Sequence, residues 1–468
     1  GILFPDWLSL QVSDCRKQEG RRFENHFFMG KKIQDSGISY YFLKECVVDF
    51  TLKRSYRKFQ IEGRENLPTD GSVILATNHT NALMDALVIL ASDRKPKVFI
   101  ARADIFKKKL IIKILTFLKI MPMYRIRDGF DSLKKNEEMI NKAVDVMSSG
   151  TPLIIFPEAT HRTKHSLLKL KKGIFHITFS LYENGDKKKP VYIQPVGIEY
   201  GDYFRFRSTV LVKYGKPINV SEFLEQNSEL TQPVQMQMLR DELTKRMSGL
   251  ISFVPDDEDY DAIWEYAKLC AGNKKYFNKA LERIEKKDGK QRGLLKKQAV
   301  NMYAIQEALN LRTTSPETAQ NFFRKVDALR LWRLQHGVSV YSVASDNIVR
   351  STIIKTLLSL LGLPYYIFTC VASLPIWLVA MLIIRNVKDD AFYNSARYCV
   401  KLALSLLVCI IWAVIFFSTM SMPWALVATL AAVPAHAFFT DFNELVRRCV
   451  SDWRWLIKRK KAPEFRIQ

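Results

Sequence analysis

Two long apolar runs without aspartate, glutamate, lysine or arginine place the strongest constraint on how this 468-residue chain can fold. Residues 357–384 form the first run and residues 402–439 the second, and each is long enough to cross a bilayer. Two prolines interrupt each run, so one tilted helix, a kinked helix or a re-entrant hairpin all fit. The prolines are Pro364, Pro375, Pro423 and Pro434. We therefore predict an integral membrane protein.

Basic residues flank both ends of both apolar runs, and this pattern bears on their orientation. They are Lys355, Arg385, Lys388, Arg397, Lys401, Arg447 and Arg448. Because basic flanks stay on the cytoplasmic side, we expect each run to start and finish there as a helical hairpin. The basic stretch 454–461, beside Trp453 and Trp455, suits a layer of anionic headgroups. The rest of the chain is then predicted on the cytoplasmic face.

Charge and cysteine content narrow the classes of partner. Lysine and arginine number 71 against 47 aspartates and glutamates, a formal net charge of +24 that suits an anionic partner. The sequence has no zinc knuckle, aromatic RNA-binding signature or heptad-plus-basic segment, which argues against nucleic acid. None of the seven cysteines has CxxC spacing, so we expect a reduced compartment with neither a disulfide framework nor a metal site.

Between residues 60 and 222, short apolar runs alternate with longer segments of helical periodicity. We predict strands at residues 72–77, 98–101, 152–156, 191–198 and 209–214. This alternation predicts an α/β domain in which a mixed sheet is flanked by helices. Catalytic groups would then lie at strand ends.

The regions around this domain differ from it in composition. Residues 1–59 are predicted to be an N-terminal arm, in which residues 40–58 fit either an interfacial helix or an ordinary surface helix. Residues 223–350 are predicted to be a charged helical region. Residues 351–440 would hold the membrane helices, and residues 441–468 would form a basic tail.

A histidine and an aspartate six positions apart, His79 and Asp85, lie where a buried strand ends and a helix begins. Alone the pair is a weak signal, and a capping histidine beside a surface aspartate is the alternative. Acyl transfer to an alcohol needs a base, which a neutral imidazole provides, while Asp85 would accept the other ring N–H. Six positions rotate a helix by about 600°, so His79 is expected in the turn before the helix.

A second group of polar residues follows the predicted strand that ends at Phe156, in the sequence Pro-Glu-Ala-Thr-His-Arg. Such a turn fits a phosphorylated polyol, with Arg162 binding phosphate and Glu158 accepting a hydroxyl hydrogen bond. A salt-bridged surface loop is the alternative. Arg125 and Arg127 offer two more guanidinium groups, which either join the site or face solvent.

Four ordered blocks across about residues 60–220 resemble the glycerol-3-phosphate and 1-acylglycerol-3-phosphate acyltransferases. The blocks are NHTNALMD, MPMYR, FPEATHR and IQPVGI. The resemblance implies that His79 is the general base, that Asp85 is its partner, and that the fourth block, with Pro195, belongs to the acyl-donor side. The residues predicted to bind substrate are Asn78, Arg125, Glu158, Thr160, Arg162 and Lys172.

Two blocks depart from the family pattern. Five residues rather than four separate His79 from Asp85, which one extra residue in the turn would absorb. The third block has Ala159 where glycine is usual and His161 where arginine is usual, with Arg162 displaced by one position. Either Arg162 contacts the acceptor phosphate, or His161 makes a weaker, pH-sensitive contact while Arg125 and Arg127 provide most of the charge. We favour Arg162.

We predict direct transfer of a fatty acyl group from a thioester to the hydroxyl of 1-acylglycerol 3-phosphate in phospholipid biosynthesis. The donor, acyl-CoA or acyl carrier protein, is a co-substrate, and no cofactor or metal is expected. Glycerol 3-phosphate and dihydroxyacetone phosphate are alternative acceptors. A non-catalytic basic membrane scaffold is the alternative of a different class. Expected partners are membrane lipids, the donor and the acceptor, and not nucleic acid.

Overall fold

The computed structural model describes residues 33–106, 108–124, 131–186 and 188–465. Its strands form a single mixed sheet in the order β1-β7-β6-β2-β5-β3-β4, with β8 paired to β6. The strands are β1 (Lys58–Glu62), β2 (Ser72–Thr77), β3 (Val98–Arg102), β4 (Ile120–Met123), β5 (Leu153–Ile155), β6 (Val191–Tyr200), β7 (Thr209–Tyr214) and β8 (Ile218–Asn219). Helices flank this sheet, and the predicted α/β fold class is confirmed.

Helices pack around the sheet and then continue to the C-terminal end of the described chain. Those before residue 250 are α1 (Ile38–Phe42), α2 (Phe50–Ser55), α3 (Leu83–Ala91), α4 (Lys109–Phe117), α5 (Asp131–Ser148), α6 (Gly173–Asn184), α7 (Val220–Gln226) and α8 (Gln232–Ser248), with a π-helical segment, Leu43–Asp49, joining α1 to α2. Those after it are α9 (Tyr260–Gly272), α10 (Lys274–Asp288), α11 (Leu294–Thr314), α12 (Pro316–Gln335), α13 (Val340–Ala344), α14 (Ile348–Arg385), α15 (Tyr393–Thr419), α16 (Met422–Ala432) and α17 (Ala435–Lys458). Short 3₁₀ turns occupy Arg64–Asn66, Ala103–Ile105, Asp390–Phe392 and Arg459–Lys461.

The central strand β2 lies between β5 and β6 and is parallel to both. Ala76 pairs with Ile155 and Thr77 with Val196, so all three strands point their carboxyl ends to one edge of the sheet. Loops that leave neighbouring parallel strands meet at that edge. The segments that follow β2 and β5, which carry the two polar motifs, are therefore brought together.

Alternate side chains of β2 face opposite sides of the sheet, as the two-residue period of a strand requires. Ile74 and Ala76 pack into a core with α5, α6 and α8, while Val73 and Leu75 pack into a second core with α3. All four side chains are buried. Burial on both faces explains the uninterrupted apolar sequence of this strand.

The edge strand β4 is not among the predicted strands, and the apolar spacing of residues 105–120 before it suits a helix. In the structure α4 ends at Phe117, Lys119 has a φ of 61°, and the chain turns into β4, which pairs only with β3 in the sheet order. Pro122 lies within β4. Proline has no N–H to donate to a ladder, so an edge position tolerates it.

Helices α9–α12 form a bundle with its own hydrophobic core, and this bundle packs against the α/β domain. Gln298 donates a hydrogen bond to Glu199 of β6 (2.7 Å), and the Leu294 N–H donates to Gln60 of β1 (2.7 Å). The ring of His165 stacks on Trp264 with centroids 3.8 Å apart. The charged region predicted at residues 223–350 is thus helical in the structure, and it lies directly beside the loop that follows β5.

We expect acid to weaken this packing through His165. Burial lowers the pKa of His165 in the folded protein to about 4, whereas the pKa in the unfolded chain is near 6.5. The folded state therefore favours the neutral ring, and its stability falls as the pH decreases from 6.5 towards 4. This difference in pKa lowers the free energy of unfolding by about 2 kcal/mol at pH 5 relative to pH 7.5. Thermal unfolding in detergent at both values should show that His165→Phe, which keeps the stacking area, loses less stability on acidification than the wild type. Equal losses would contradict the prediction.

Two helices of the described chain are long and apolar enough to cross a membrane, α14 and the segment 390–419. The count becomes three if α16 and α17, bent by 55° at a short break, form one span. The predicted hairpin in the first apolar run is wrong, because α14 continues through Pro364 and Pro375. Interior prolines are tolerated where neighbouring helices and side chains satisfy the freed carbonyls. The second run does reverse, at Met420 and Ser421 between α15 and α16.

Polar contacts hold the membrane helices against the α/β domain. Tyr398 of α15 hydrogen-bonds Thr51 of α2 (2.9 Å). Asp441 of α17 accepts from Arg57 (2.9 Å) and Arg207 (2.6 Å). Residues from 441 onwards, predicted as a separate basic tail, therefore continue α17 to Lys458 and take part in this contact.

Candidate active site

The histidine and the aspartate of the first motif are in direct contact. His79 lies in the turn after β2, and its Nδ1 is 2.8 Å from Oδ2 of Asp85 in the first turn of α3. An ionised carboxylate only accepts, so Nδ1 carries the proton and Nε2 keeps its lone pair. Nε2 makes no hydrogen bond within the described part of the chain, and 17% of the side chain is exposed. The ring therefore presents a basic nitrogen.

The Asp85 carboxylate is buried and fixed from several directions. Its Oδ2 accepts from the N–H groups of Thr80 and Asn81, both at 2.7 Å, and its Oδ1 accepts from the Tyr200 hydroxyl at 2.7 Å. Burial and the neighbouring Asp85 raise the pKa of Tyr200 well above its usual value, so the phenol keeps its proton and donates. Such a carboxylate holds the imidazole in one tautomer and orientation.

The extra residue between His79 and Asp85 is absorbed in the turn before α3. Ala82 has a φ of 43° and a ψ of −124°, a conformation that costs free energy for a residue with a Cβ. This kink lets α3 start at Leu83 with Asp85 facing back towards the turn. The longer spacing thus keeps the hydrogen bond on which the site depends.

Two aromatic rings contact His79. Phe156, just after β5, stacks on it with centroids 4.2 Å apart and an interplanar angle of 25°. His161, from the same loop, lies edge-to-face at 5.4 Å. The third sequence block thus lies next to the imidazole, because β2 and β5 are parallel neighbours whose carboxyl ends meet at one edge.

Glu158 was predicted to bind a substrate hydroxyl, and in the structure its carboxylate contacts two backbone N–H groups. It is buried, with Oε1 accepting from the His79 N–H (3.0 Å) and Oε2 from the Leu168 N–H (2.8 Å). Burial raises the pKa of Glu158, and these N–H donors oppose the shift. Both carboxylate oxygens accept hydrogen bonds from backbone groups, so Glu158 connects the loop after β5 to the turn that carries His79.

Asn78 was also predicted to bind substrate, and it too is occupied within the protein. Its amide nitrogen donates to the Ile198 carbonyl (3.0 Å), and its amide oxygen accepts from the Ile198 N–H (2.7 Å). The side chain is buried. Asn78 therefore extends the pairing of β2 with β6 and positions His79 from one side.

The other predicted substrate-binding residues lie around the loop after β5. Thr160 is exposed and follows Ala159, whose φ of 60° explains why glycine suits that position. Arg162 forms an ion pair with Asp256 and donates to Ser166 (2.6 Å). Lys172 is exposed at the start of α6. Arg125 lies outside the described residues.

Several residues beside His79 were not predicted. Tyr200 ends β6 two residues after the fourth block, and only the sheet register places it near Asp85. The Thr80 hydroxyl and the Asn81 side-chain oxygen, in the turn after His79, are buried without a hydrogen-bond partner in the described chain. Asp389, 2.7 Å from Nε2 of His161, comes from a region that the sequence linked only to the membrane.

Comparison with known proteins agrees with this geometry. The family model described as Acyltransferase matches residues 58–199, which contain all four sequence blocks. Over these residues the chain carries an acyltransferase domain. The resemblance predicted from the four blocks is thereby confirmed, and the sheet with its flanking helices is referred to below as the acyltransferase domain.

The acyltransferase domain is similar to curated proteins over part of their length. The chloroplastic 1-acyl-sn-glycerol-3-phosphate acyltransferase LPAT1 of Arabidopsis thaliana is 30% identical over 26% of this chain and 33% of that protein. The 1-acyl-sn-glycerol-3-phosphate acyltransferase of Borreliella burgdorferi is 26% identical over 29% of this chain and 52% of that protein. The chain thus spans about a third to a half of the length of these relatives.

One solved structure is also similar. The crystal structure of the 1-acyl-sn-glycerophosphate acyltransferase PlsC from Thermotoga maritima matches with 19% identity and a TM-score of 0.33. The match covers 49% of this chain and 87% of that chain.

Proposed function

We propose that this protein transfers a fatty acyl group from a thioester donor to the hydroxyl of 1-acylglycerol 3-phosphate. One observation carries the proposal: a buried Asp85 with four hydrogen bonds holds the His79 imidazole at the carboxyl edge of the sheet, and Nε2 has no partner among the described residues. A base in this state suits removal of a proton from an alcohol. No protein nucleophile is required.

The proposed reaction is a direct transfer. Nε2 of His79 takes the proton from the acceptor hydroxyl as its oxygen bonds to the thioester carbonyl carbon. The C–S bond then breaks, and the proton passes from the imidazolium to the departing thiolate. Asp85 stabilises the imidazolium between these steps. The donor is acyl-CoA or acyl carrier protein as co-substrate, and the scheme uses neither a cofactor nor a metal.

The acceptor assignment draws on the relatives and on the charges of the loop after β5. Two relatives are named for 1-acyl-sn-glycerol 3-phosphate as acceptor. Arg162 and Lys164 share one carboxylate, that of Asp256, so this group retains positive charge for a phosphate. Glycerol 3-phosphate and dihydroxyacetone phosphate carry the same phosphate and are the alternative acceptors.

The loop between the two candidate spans supports the proposed placement at the cytoplasmic face. This loop, residues 386–392, touches the site through Asp389 and Phe392. Basic residues at 385, 388, 397 and 401 flank it, as expected of a cytoplasmic loop. Since the loop and the catalytic pair lie together, the acyltransferase domain would face the cytoplasm at the membrane surface and take its acceptor from the lipid layer.

A panel of acceptors crossed with both donors tests this function. We expect thiol release and lipid product in equal amounts, with the highest kcat/KM for 1-acylglycerol 3-phosphate. Free thiol and extracted lipid are measured in parallel on the purified full chain. Preference for glycerol 3-phosphate or dihydroxyacetone phosphate would overturn the acceptor assignment. Absence of thiol release with every pair would favour the membrane scaffold.

A further inference from the structure

A second histidine–aspartate pair lies beside the first. Nε2 of His161 is 2.7 Å from Oδ2 of Asp389, and the His161 ring meets the His79 ring edge-to-face at 5.4 Å. His161 belongs to the loop after β5, whereas Asp389 belongs to the loop that joins α14 to α15. The pair therefore links the acyltransferase domain to the turn between two candidate membrane spans, at the edge of the catalytic imidazole.

Asp389 is held in place by its own loop. Its Oδ1 accepts from the Ala391 N–H (3.0 Å), which caps the short 3₁₀ turn Asp390–Phe392, while Oδ2 reaches His161. Phe392 from the same turn packs edge-to-face on His161 at 5.2 Å. One carboxylate thus orders the loop with one oxygen and the histidine with the other.

The contact also decides which nitrogen of His161 remains available. A carboxylate accepts hydrogen bonds, so the proton lies on Nε2 and the Nδ1 atom is left for another partner. Nδ1 makes no hydrogen bond within the part of the chain that the structure describes. His161 therefore presents an oriented imidazole beside the catalytic pair.

We propose that Asp389 is a positioning residue for acceptor binding, which acts by holding His161 beside His79. The inference rests on the proposed function and assigns part of the acceptor site to the membrane region of the chain. His161 contacts the polar headgroup of the acceptor, and Asp389 fixes its tautomer and ring orientation. The acyltransferase domain is then complete only when the loop 386–392 is seated against it.

The competing view is that the pair is an ordinary surface ion pair. Half of the Asp389 side chain is exposed, and exposed pairs contribute little to stability. A purely structural pair therefore predicts almost no effect on either Michaelis constant. A positioning role predicts a selective effect on the acceptor, so the two views differ in what kinetics would show.

The test uses the purified full chain with oleoyl-CoA and 1-oleoylglycerol 3-phosphate. Asparagine at 389 keeps an acceptor oxygen for Ala391 but presents an NH₂ donor to His161, so it can hold the ring only in the opposite tautomer. We expect Asp389→Asn to raise the acceptor KM about tenfold, with the donor KM unchanged and kcat within twofold. Asp389→Ser keeps a capping oxygen for Ala391 but is too short for His161, and it should give the same shift.

Asp390→Asn is the matched control, because it removes the same charge from the neighbouring residue. The Asp390 side chain is exposed and makes no hydrogen bond or ion pair within the described chain, so this variant should keep the wild-type acceptor KM. In a double-mutant cycle, Asp389→Asn should add nothing to the acceptor KM of His161→Ala.

The proposal fails if Asp389→Asn and Asp390→Asn have the same acceptor KM, or if the effects of the substitutions at 161 and 389 on the acceptor KM are additive. It also fails if Asp389→Asn lowers kcat at an unchanged acceptor KM. Each of these results leaves the proposed function intact as long as His79 is essential. Loss of the proposed function would appear instead as activity that survives substitution of His79.

Discussion

His79→Ala is expected to lower kcat about 10³-fold, because positioned general bases contribute roughly 10²- to 10⁴-fold to rates. The acceptor and donor KM values should change little, since the substitution removes a group that acts on the hydroxyl proton rather than on a headgroup. Thiol release with saturating acyl-CoA and 1-acylglycerol 3-phosphate measures the effect. Asp85 remains held by Thr80, Asn81 and Tyr200, so the turn should keep its conformation.

His176→Ala provides the matched control. His176 is exposed on α6 and makes no ring contact or side-chain hydrogen bond with His79. This variant should keep wild-type turnover. If His79→Ala retained turnover within tenfold of the wild type while remaining folded by thermal unfolding, the assignment of His79 as base would be wrong. The family membership of the domain would be unaffected by that result.

The sheet core was accessible from the sequence because its strands are short and buried on both faces. Residues 72–77 were predicted as a strand and form β2, and the strand predicted at 209–214 matches β7. Short apolar runs bounded by turn residues are typical of buried strands in an α/β domain. The two polar motifs were predicted at strand ends, and the parallel pairing of β2 with β5 in the structure makes them neighbours.

The use of individual polar side chains was much harder to predict. Asn78 belongs to an expected block, yet its side chain hydrogen-bonds the backbone of Ile198. Glu158 likewise accepts from the backbone N–H groups of His79 and Leu168. A motif records which residue types occur together, whereas hydrogen-bond partners depend on register and loop path. Buried amides and carboxylates must be satisfied, and the nearest unpaired groups here are backbone.

Contacts between residues far apart in the sequence could not be predicted from local sequence patterns. Asp389 lies more than 200 residues after His161, and Asp256 pairs with Arg162 from the start of the helical bundle. The loop after β5 thus receives one carboxylate from the bundle and one from the membrane loop. Three regions that differ in composition meet within hydrogen-bonding distance of one loop.

Asp85→Asn is the second large expected effect, and the structure makes it unusually informative. Three N–H donors converge on Oδ2, so the amide oxygen of asparagine should take that place and its NH₂ should face Tyr200. A phenol both donates and accepts, so Tyr200 can reverse its role. The histidine tautomer is then kept while the negative charge is lost. We expect kcat to fall about 10²- to 10³-fold, with both KM values little changed.

The role of Tyr200 supplies the control for this argument. Tyr200→Phe removes one donor to Oδ1 and should reduce turnover only slightly, since the carboxylate keeps three N–H donors. Adding it to Asp85→Asn leaves a buried NH₂ without a partner, which should cost about 1–3 kcal/mol of stability. Thermal unfolding and thiol release on the three variants separate the two effects. Turnover of Asp85→Asn within tenfold of the wild type would show that orientation of His79, and not charge, is what Asp85 contributes.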